Sequence, residues 1–396
     1  MLIIVLVMTG CTMRGMTPEG WSGVAISQDG SMAFTGSREG RLVAINLIDS
    51  SRYFSEPLRQ AASGGACGTT GMLGCGAAVP AVAIYGTPAL ADGVPIGLDS
   101  AGKPVLGQIV IVAGYNGVVV AYQSNALANV VWQFTVPSEQ PSPIVGGVLV
   151  YKDLAYFGSS DGRVYALKVA GDLASRTTNM VWSFPTGNYI WGTPAVANDI
   201  LVVGSFDKKI YGLNALTGDK IWEFTTGANN VATPLIVDGV VYVGSLDSTF
   251  YALDLQTGDE KWSFKAGNWF WAKAVMANDI IFAPSMDNKV YAFDIKTGSK
   301  INEYDLGGQI SSNPVIIKGK VIVATQNKTL WSIDSTNPQT EARKIADIPA
   351  DVSSPLTALG DIVFINGLDV VNRAENKLFG YNVATGAVSS PISLNY

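Results

Sequence analysis

The chain contains no histidine. That absence excludes a Ser-His-Asp triad, a His-ligated zinc site and a Cys-x-x-Cys-His haem attachment site. Any catalysis would have to run on carboxylates, Lys, Tyr or a bound cofactor. Charge is scarce as well: 15% of the 396 residues are charged, whereas 48% are hydrophobic. Such a composition buries a sizeable core and does not describe a disordered chain. The formal charge is −6 and no cluster of Lys and Arg interrupts it. Nucleic-acid affinity rests on such clusters, so nucleic acid is excluded as a partner.

What is abundant is glycine, with 43 residues, beside 10% aromatics. Both fit an all-β chain with many tight turns. At the N-terminus, Met1 to Met8 are entirely apolar, followed by Thr9, Gly10 and Cys11. The run is too short to span a bilayer, which takes about 20 residues, and matches the apolar region of a secretory signal. Met8-Thr9-Gly10-Cys11 is similar to the bacterial lipobox, whose cysteine is lipidated. No Lys or Arg precedes the run, a departure that a misplaced start would explain; a buried strand with a chance cysteine is the bland alternative. The polar stretch after Cys11 reads as a tether. The expected organisation is a lipoprotein signal over 1–11, a tether over 12–20 and one folded domain over 21–396.

The other cysteines, Cys67 and Cys75, lie in a Gly/Ala-rich stretch. Outside the cytoplasm such a pair reads as a structural disulfide stapling a long loop. Two thiols without histidine leave a metal site incomplete.

Internal repeats decide the fold. Thr193-Pro194 to Phe224 and Thr233-Pro234 to Phe264 share one pattern: Thr-Pro, an apolar run, Gly-Ser-x-Asp, an aromatic-rich strand, Thr-Gly-Asp, then Trp-x-Phe. Trp182, Trp222 and Trp262 follow at intervals of 40 residues. The register continues at Lys273-Ala274, Asn313-Pro314 and Ser354-Pro355. Upstream, Thr87-Pro88 and Ser142-Pro143 open two longer copies, and a degenerate copy starts near Gly23, making eight. In the copy at Thr193 the turn signals predict strands over Thr193–Ala197, Ile200–Gly204, Lys209–Asn214 and Lys220–Thr225. Ile200 to Val203 and Val240 to Val243 are apolar on both faces, as a strand needs when both faces of its sheet are covered. Four short antiparallel strands per unit, stacked around an axis, make a propeller blade. The fold class expected is therefore an all-β, eight-bladed β-propeller of four-stranded antiparallel blades. A helical solenoid conflicts with the Thr, Val, Ile and Tyr enrichment, and the rungs of a β-solenoid are usually shorter.

Gly-Ser-x-Asp, Tyr-Ala-Leu, Thr-Gly and Trp-x-Phe together resemble the pyrroloquinoline-quinone (PQQ)-like repeat family, which includes quinoprotein alcohol dehydrogenases and BamB-like outer-membrane assembly lipoproteins. The resemblance runs from about residue 21 to 394 and is strongest between Pro143 and Asp305. It implies that Trp132, Trp182, Trp222 and Trp262 dock each blade on its neighbour. Asn302 and Lys344 stand near the equivalent place in two later copies, leaving that girdle incomplete.

Asp161, Asp207, Asp247 and Asp287 recur at one position of four copies. Repeated metal sites are one reading; acceptors for backbone amides in their own turns are the simpler one. The Thr-Gly turns read as scaffold, since Gly supplies positive φ. More informative are Asn188-Tyr189-Ile190-Trp191-Gly192 and Asn268-Trp269-Phe270-Trp271-Ala272, because the intervening copy has Ala228-Asn229-Asn230-Val231-Ala232 there. A general packing role should not skip a copy. These connections converge on one face near the central channel, where Tyr189, Trp191, Trp269, Phe270 and Trp271 are candidate anchors for a partner, unless they plug the channel mouth. Lys273 stands where other copies have Thr, Ser or Asn. It is a candidate for an anionic ligand, or for pairing with Asp199 or Asp279.

The resemblance, length and lipobox imply a non-catalytic, extracytoplasmic scaffold of BamB-like kind. Its expected partner is a protein of the cell envelope, its anchor a lipid on Cys11 in the cell membrane or outer membrane, and its state monomeric. No cofactor is expected. A PQQ-dependent dehydrogenase is the alternative with chemistry, its quinone stacked on Trp191 or Trp271. Against it, no two cysteines are adjacent and no calcium-ligand set can be placed. An envelope propeller binding peptide or polysaccharide is a third reading on the same aromatic loops.

Overall fold

The computed structural model describes residues 22–59, 82–138, 142–369 and 376–395. Cys11, the tether, Cys67 and Cys75 lie outside these described residues. Every regular element among them is a β-strand, arranged in eight antiparallel sheets built from consecutive strands. These are the eight blades of a β-propeller.

Blade 4 shows how sequence becomes blade. Its strands are Ala195–Ala197, Ile200–Gly204, Lys209–Asn214 and Lys220–Thr225. The innermost strand begins two residues later than expected, after Pro194, which has no N–H to give a ladder. Asn198 and Asp199 turn the chain with φ of 50° and 62°, the pair of positive angles a tight hairpin needs. Ile200 and Val202 pack towards blade 5, and Leu201 and Val203 towards blade 3. Side chains alternate across a strand, so one unbroken apolar run serves two interfaces. The whole ring follows this rule: eight buried apolar clusters occupy the eight interfaces between neighbouring blades.

Two further devices lock neighbours together. On one face, the Trp of an outermost strand lies over a glycine-containing turn of the next blade. The indole Nε1 of Trp182 donates to Ala215 O at 2.9 Å, that of Trp222 to Leu255 O at 2.8 Å and that of Trp132 to Val169 O at 2.7 Å. Gly258, at φ +77°, sits so close beneath Trp222 that a Cβ there would meet the ring at 2.7 Å. Where the Trp is missing, Asn302 donates to Pro338 O at 2.8 Å. The girdle therefore continues by hydrogen bond. Lys344 instead pairs with Asp347 at the surface.

On the opposite face the recurrent aspartates bind the neighbouring blade as well as their own turn. Asp247 accepts from the N–H of Thr249 at 2.8 Å, the hydroxyl of Tyr251 at 2.8 Å and the N–H of Gly227 in the incoming connection at 2.7 Å. Asp207 and Asp287 repeat the set through Gly187 with Tyr211, and Gly267 with Tyr291. Burial, then the bond to Asp247, pushes the Tyr251 phenol up to about 12.

Blade 8 departs from the four-stranded expectation. Its second strand, Ile362–Asp369, outruns the inner strand Thr357–Leu359, and Ala350–Asp351 pairs with the free end. Backbone groups left over there find partners in that fifth strand. Among the described residues no strand is shared between blades 8 and 1. The ring closes through side chains: Thr357 donates to Val24 O at 2.8 Å, the Asn366 amide reaches Ser22 O and the Thr35 hydroxyl at 3.0 Å, and Arg52 donates to Ser393 O.

The two glycine environments separate turn geometry from Trp docking. Gly239 has φ +76° with nothing within 4 Å of an added Cβ. Gly239→Ala should cost about 1 kcal/mol, the price of a left-handed backbone, whereas Gly258→Ala should cost about 3 kcal/mol because Trp222 must also move. Equal losses in urea unfolding would show that the indole does not hold the blades.

Candidate functional site

Among the described residues the chain direction places the blade-to-blade connections, and the turns carrying a recurrent Asp, on one face of the ring. Here the connections converge on the central channel. Residues from seven of them line a cup of about 280 Å3, among them Tyr85, Trp191, Trp271, Lys273, Ser311 and Asn313. Among the described residues its lining contains one charged side chain, Lys273, and no carboxylate.

Each aromatic connection is pinned at its centre. Ile190 and Phe270 are 0% and 1% exposed. A Cβ on Gly158 or Gly244 would strike them at 2.0 and 2.1 Å, so each fits a notch that only glycine leaves open. Phe270 also packs against Phe250 and Tyr291. This corrects its reading as a partner anchor: it is core, and Asn230 and Ile310 fill the equivalent places of two other connections.

The residues on either side of each buried centre take different environments. Trp191 and Trp271 turn inward to the cup. Trp191 is held by Phe206, ring centroids 4.7 Å apart, and by its Nε1 donating to the Ser160 hydroxyl at 3.2 Å. Tyr189 and Trp269 stand on the outer side of each connection, 49% and 37% exposed. The six candidates thus separate into an inner group, Trp191, Trp271 and Lys273, an exposed rim pair, Tyr189 and Trp269, and one core residue.

Lys273 occupies the 40-residue register of Thr193, Thr233 and Asn313. In that register side-chain oxygens tie the blades: Gly147 N–H donates to Thr193 Oγ1 at 2.7 Å, and Lys273 N–H to Asn313 Oδ1 at 2.8 Å. Neither carboxylate proposed from the sequence reaches its ammonium. Asp199 accepts from Lys152 at 2.6 Å and from the Tyr151 hydroxyl at 3.0 Å on the far face, and Asp279 is in a hairpin turn on that same face. Burial pushes the Lys273 pKa below 10.5. Tyr85, Ser311 and Asn313 were not singled out as site residues; their signal was the position of each within its copy.

A larger cleft, about 690 Å3, opens on the opposite face between blades 1 and 2. Its polar groups are spent on local structure. Asp29 accepts from Ser27 and Ser31, Asn46 caps the N–H of Ile48, and Asp92 accepts from Gln108. The channel mouth is the better candidate because its cation is uncommitted.

Residues 168–391, more than half of the chain, match the family described as outer membrane protein assembly factor BamB. Among solved structures the chain is similar to BamB from Moraxella catarrhalis, with 17% identity over 87% of this chain and 92% of that one, and a TM-score of 0.62. It is also similar to the computationally designed Ika8 protein, with 14% identity over 91% of this chain and 96% of that one, and a TM-score of 0.66. At such identities the likeness is one of fold. No curated protein matches.

An uncompensated Lys273 makes a signed prediction. Its depressed native pKa means the unfolded chain binds more protons between that pKa and 10.5, so the native state is penalised at neutral pH and relieved as pH rises. Lys273→Thr, the residue at 193 and 233, should gain about 1 kcal/mol at pH 7 and lose that advantage above pH 10.5. A destabilised Lys273→Thr at pH 7 would mean that the ammonium is paired in the native chain.

Proposed function

Because the chain belongs to the BamB family of PQQ-like repeat propellers, we propose that it is a non-catalytic, extracytoplasmic scaffold that docks a protein partner on its channel-mouth face. The observation that carries this reading is the exposed pair Tyr189 and Trp269, set on two connections whose centres are buried in the core. Amphipathic rings on a fixed backbone bury large areas and lose few rotors on binding. Lipidation of Cys11 would hold this face near a membrane, and assembly of outer-membrane proteins is the setting the family name supplies. The connection between them, Ala228 to Ala232, carries no aromatic, so the rim pair is spaced as two separate anchors.

The PQQ-dependent reading draws on Trp191 and Trp271 in the mouth. The residues there do not fit a calcium-bound quinone, since the lining offers no carboxylate to hold the cation. Peptide or polysaccharide binding would use the same rim.

Co-purification with the assembly machinery of the source organism tests the proposal. The Tyr189→Ala/Trp269→Ala double variant should weaken capture by at least about 30-fold, the scale of two hot-spot side chains, and leave the melting temperature almost unchanged. Intact capture would remove the rim from the interface. A large fall in melting temperature would make both rings structural, and saturable calorimetric binding of PQQ with calcium would replace the scaffold by an oxidoreductase.

A further inference from the structure

Lys273 breaks the pattern of its own ring twice. Its register otherwise supplies side-chain oxygens that accept inter-blade bonds, as Thr193 and Asn313 do, yet an ammonium has three donors and no acceptor. It also brings a charge into a cup whose other lining residues are all uncharged. A partly buried cation without an anion costs stability. Thr233, one copy earlier in the same register, shows that the fold does not require it. Local rules broken without structural return mark functional positions.

We infer that the channel mouth is a carboxylate-receiving cup, in which the Lys273 ammonium meets the anion between the walls of Trp191 and Trp271. The hydroxyls of Thr193, Thr233 and Ser311 stand on the same lining and supply further donors to the second oxygen or its hydration shell. A cup of about 280 Å3 has room for the carboxylate of a side chain. The low-dielectric walls strengthen the charge-assisted bond. The exposed Tyr189 and Trp269 lie on the same connections as Trp191 and Trp271, so a polypeptide docked on them can present an acidic side chain to the cup. The cup stands on its own geometry and rests on the docking reading only for who presents the carboxylate.

Two acetylated, amidated single residues, Ac-Glu-NH2 and Ac-Gln-NH2, test it on the purified full chain. The readout is the lysine side-chain NMR spectrum, with the Lys273 signal assigned by its loss in Lys273→Thr. Ac-Glu-NH2 should shift that signal saturably and raise its titration midpoint, because a bound anion favours the charged form. Tryptophan fluorescence should report binding at least about tenfold weaker in Lys273→Thr and retained in Lys273→Arg. Equal responses to both probes, or none to Ac-Glu-NH2 at about 10 mM, would overturn the site. If the free probe binds and partner capture also falls in Lys273→Thr, the carboxylate belongs to the partner. If the probe binds while capture is untouched, the cup serves a diffusible carboxylate and only the docking source is lost.

Discussion

Every sheet in this molecule is apolar on both faces, and that constraint governs the rest. A four-stranded sheet with Ile200 and Val202 on one side and Leu201 and Val203 on the other cannot stand in water alone. It is stable only between two others like it, and those two have the same need. The demand ends when the eighth blade meets the first, where Phe364 and Leu378 pack with Val24 and Val43. No shared strand is needed at that seam among the described residues, since the apolar cluster and the Asn366 and Thr357 bonds supply the closure.

Once blades stack in this way, their connections are sorted automatically. Innermost strands all run away from one face, so blade-to-blade connections gather there around the channel, and Thr-Gly turns gather on the other. The Thr-Gly face is committed to holding the ring, through indoles lying on glycines. The connection face holds the ring too, through Asp207, Asp247 and Asp287, but leaves Tyr189 and Trp269 partly exposed, the Tyr189 ring resting on Phe206 with centroids 6.1 Å apart. Ring-locking indoles and exposed aromatics are thereby separated by face, and buried Ile190 and Phe270 give Tyr189 and Trp269 a rigid base.

Much of this was legible because a repeat states its own register. Three of the four strands of blade 4 have the bounds expected from turn signals and β-branched runs, and the Trp positions identified the docking side chains before any contact was known. Other features were opaque for definite reasons. The aspartates read as local turn acceptors, yet Asp207, Asp247 and Asp287 also take a glycine N–H from the incoming connection some 20 residues earlier, a contact made only when blades stack. Phe270 and Trp271 are adjacent aromatics with no compositional difference; alternation about a buried residue sends one to the core and the other to the cup. Asn302 looked like a gap in the girdle because its hydrogen bond to Pro338 O crosses to another blade.

The sequence by itself determined the blade count, the strand pattern and the positions that depart from the repeat, since these depend on local periodicity and turn chemistry. Only the tertiary structure decided which departures line the channel mouth. Lys273 is one anomaly among several in a list of residues. It becomes a cation without a carboxylate partner among the described residues only because seven distant connections meet around one axis, and no short-range pattern encodes what those connections bring with them.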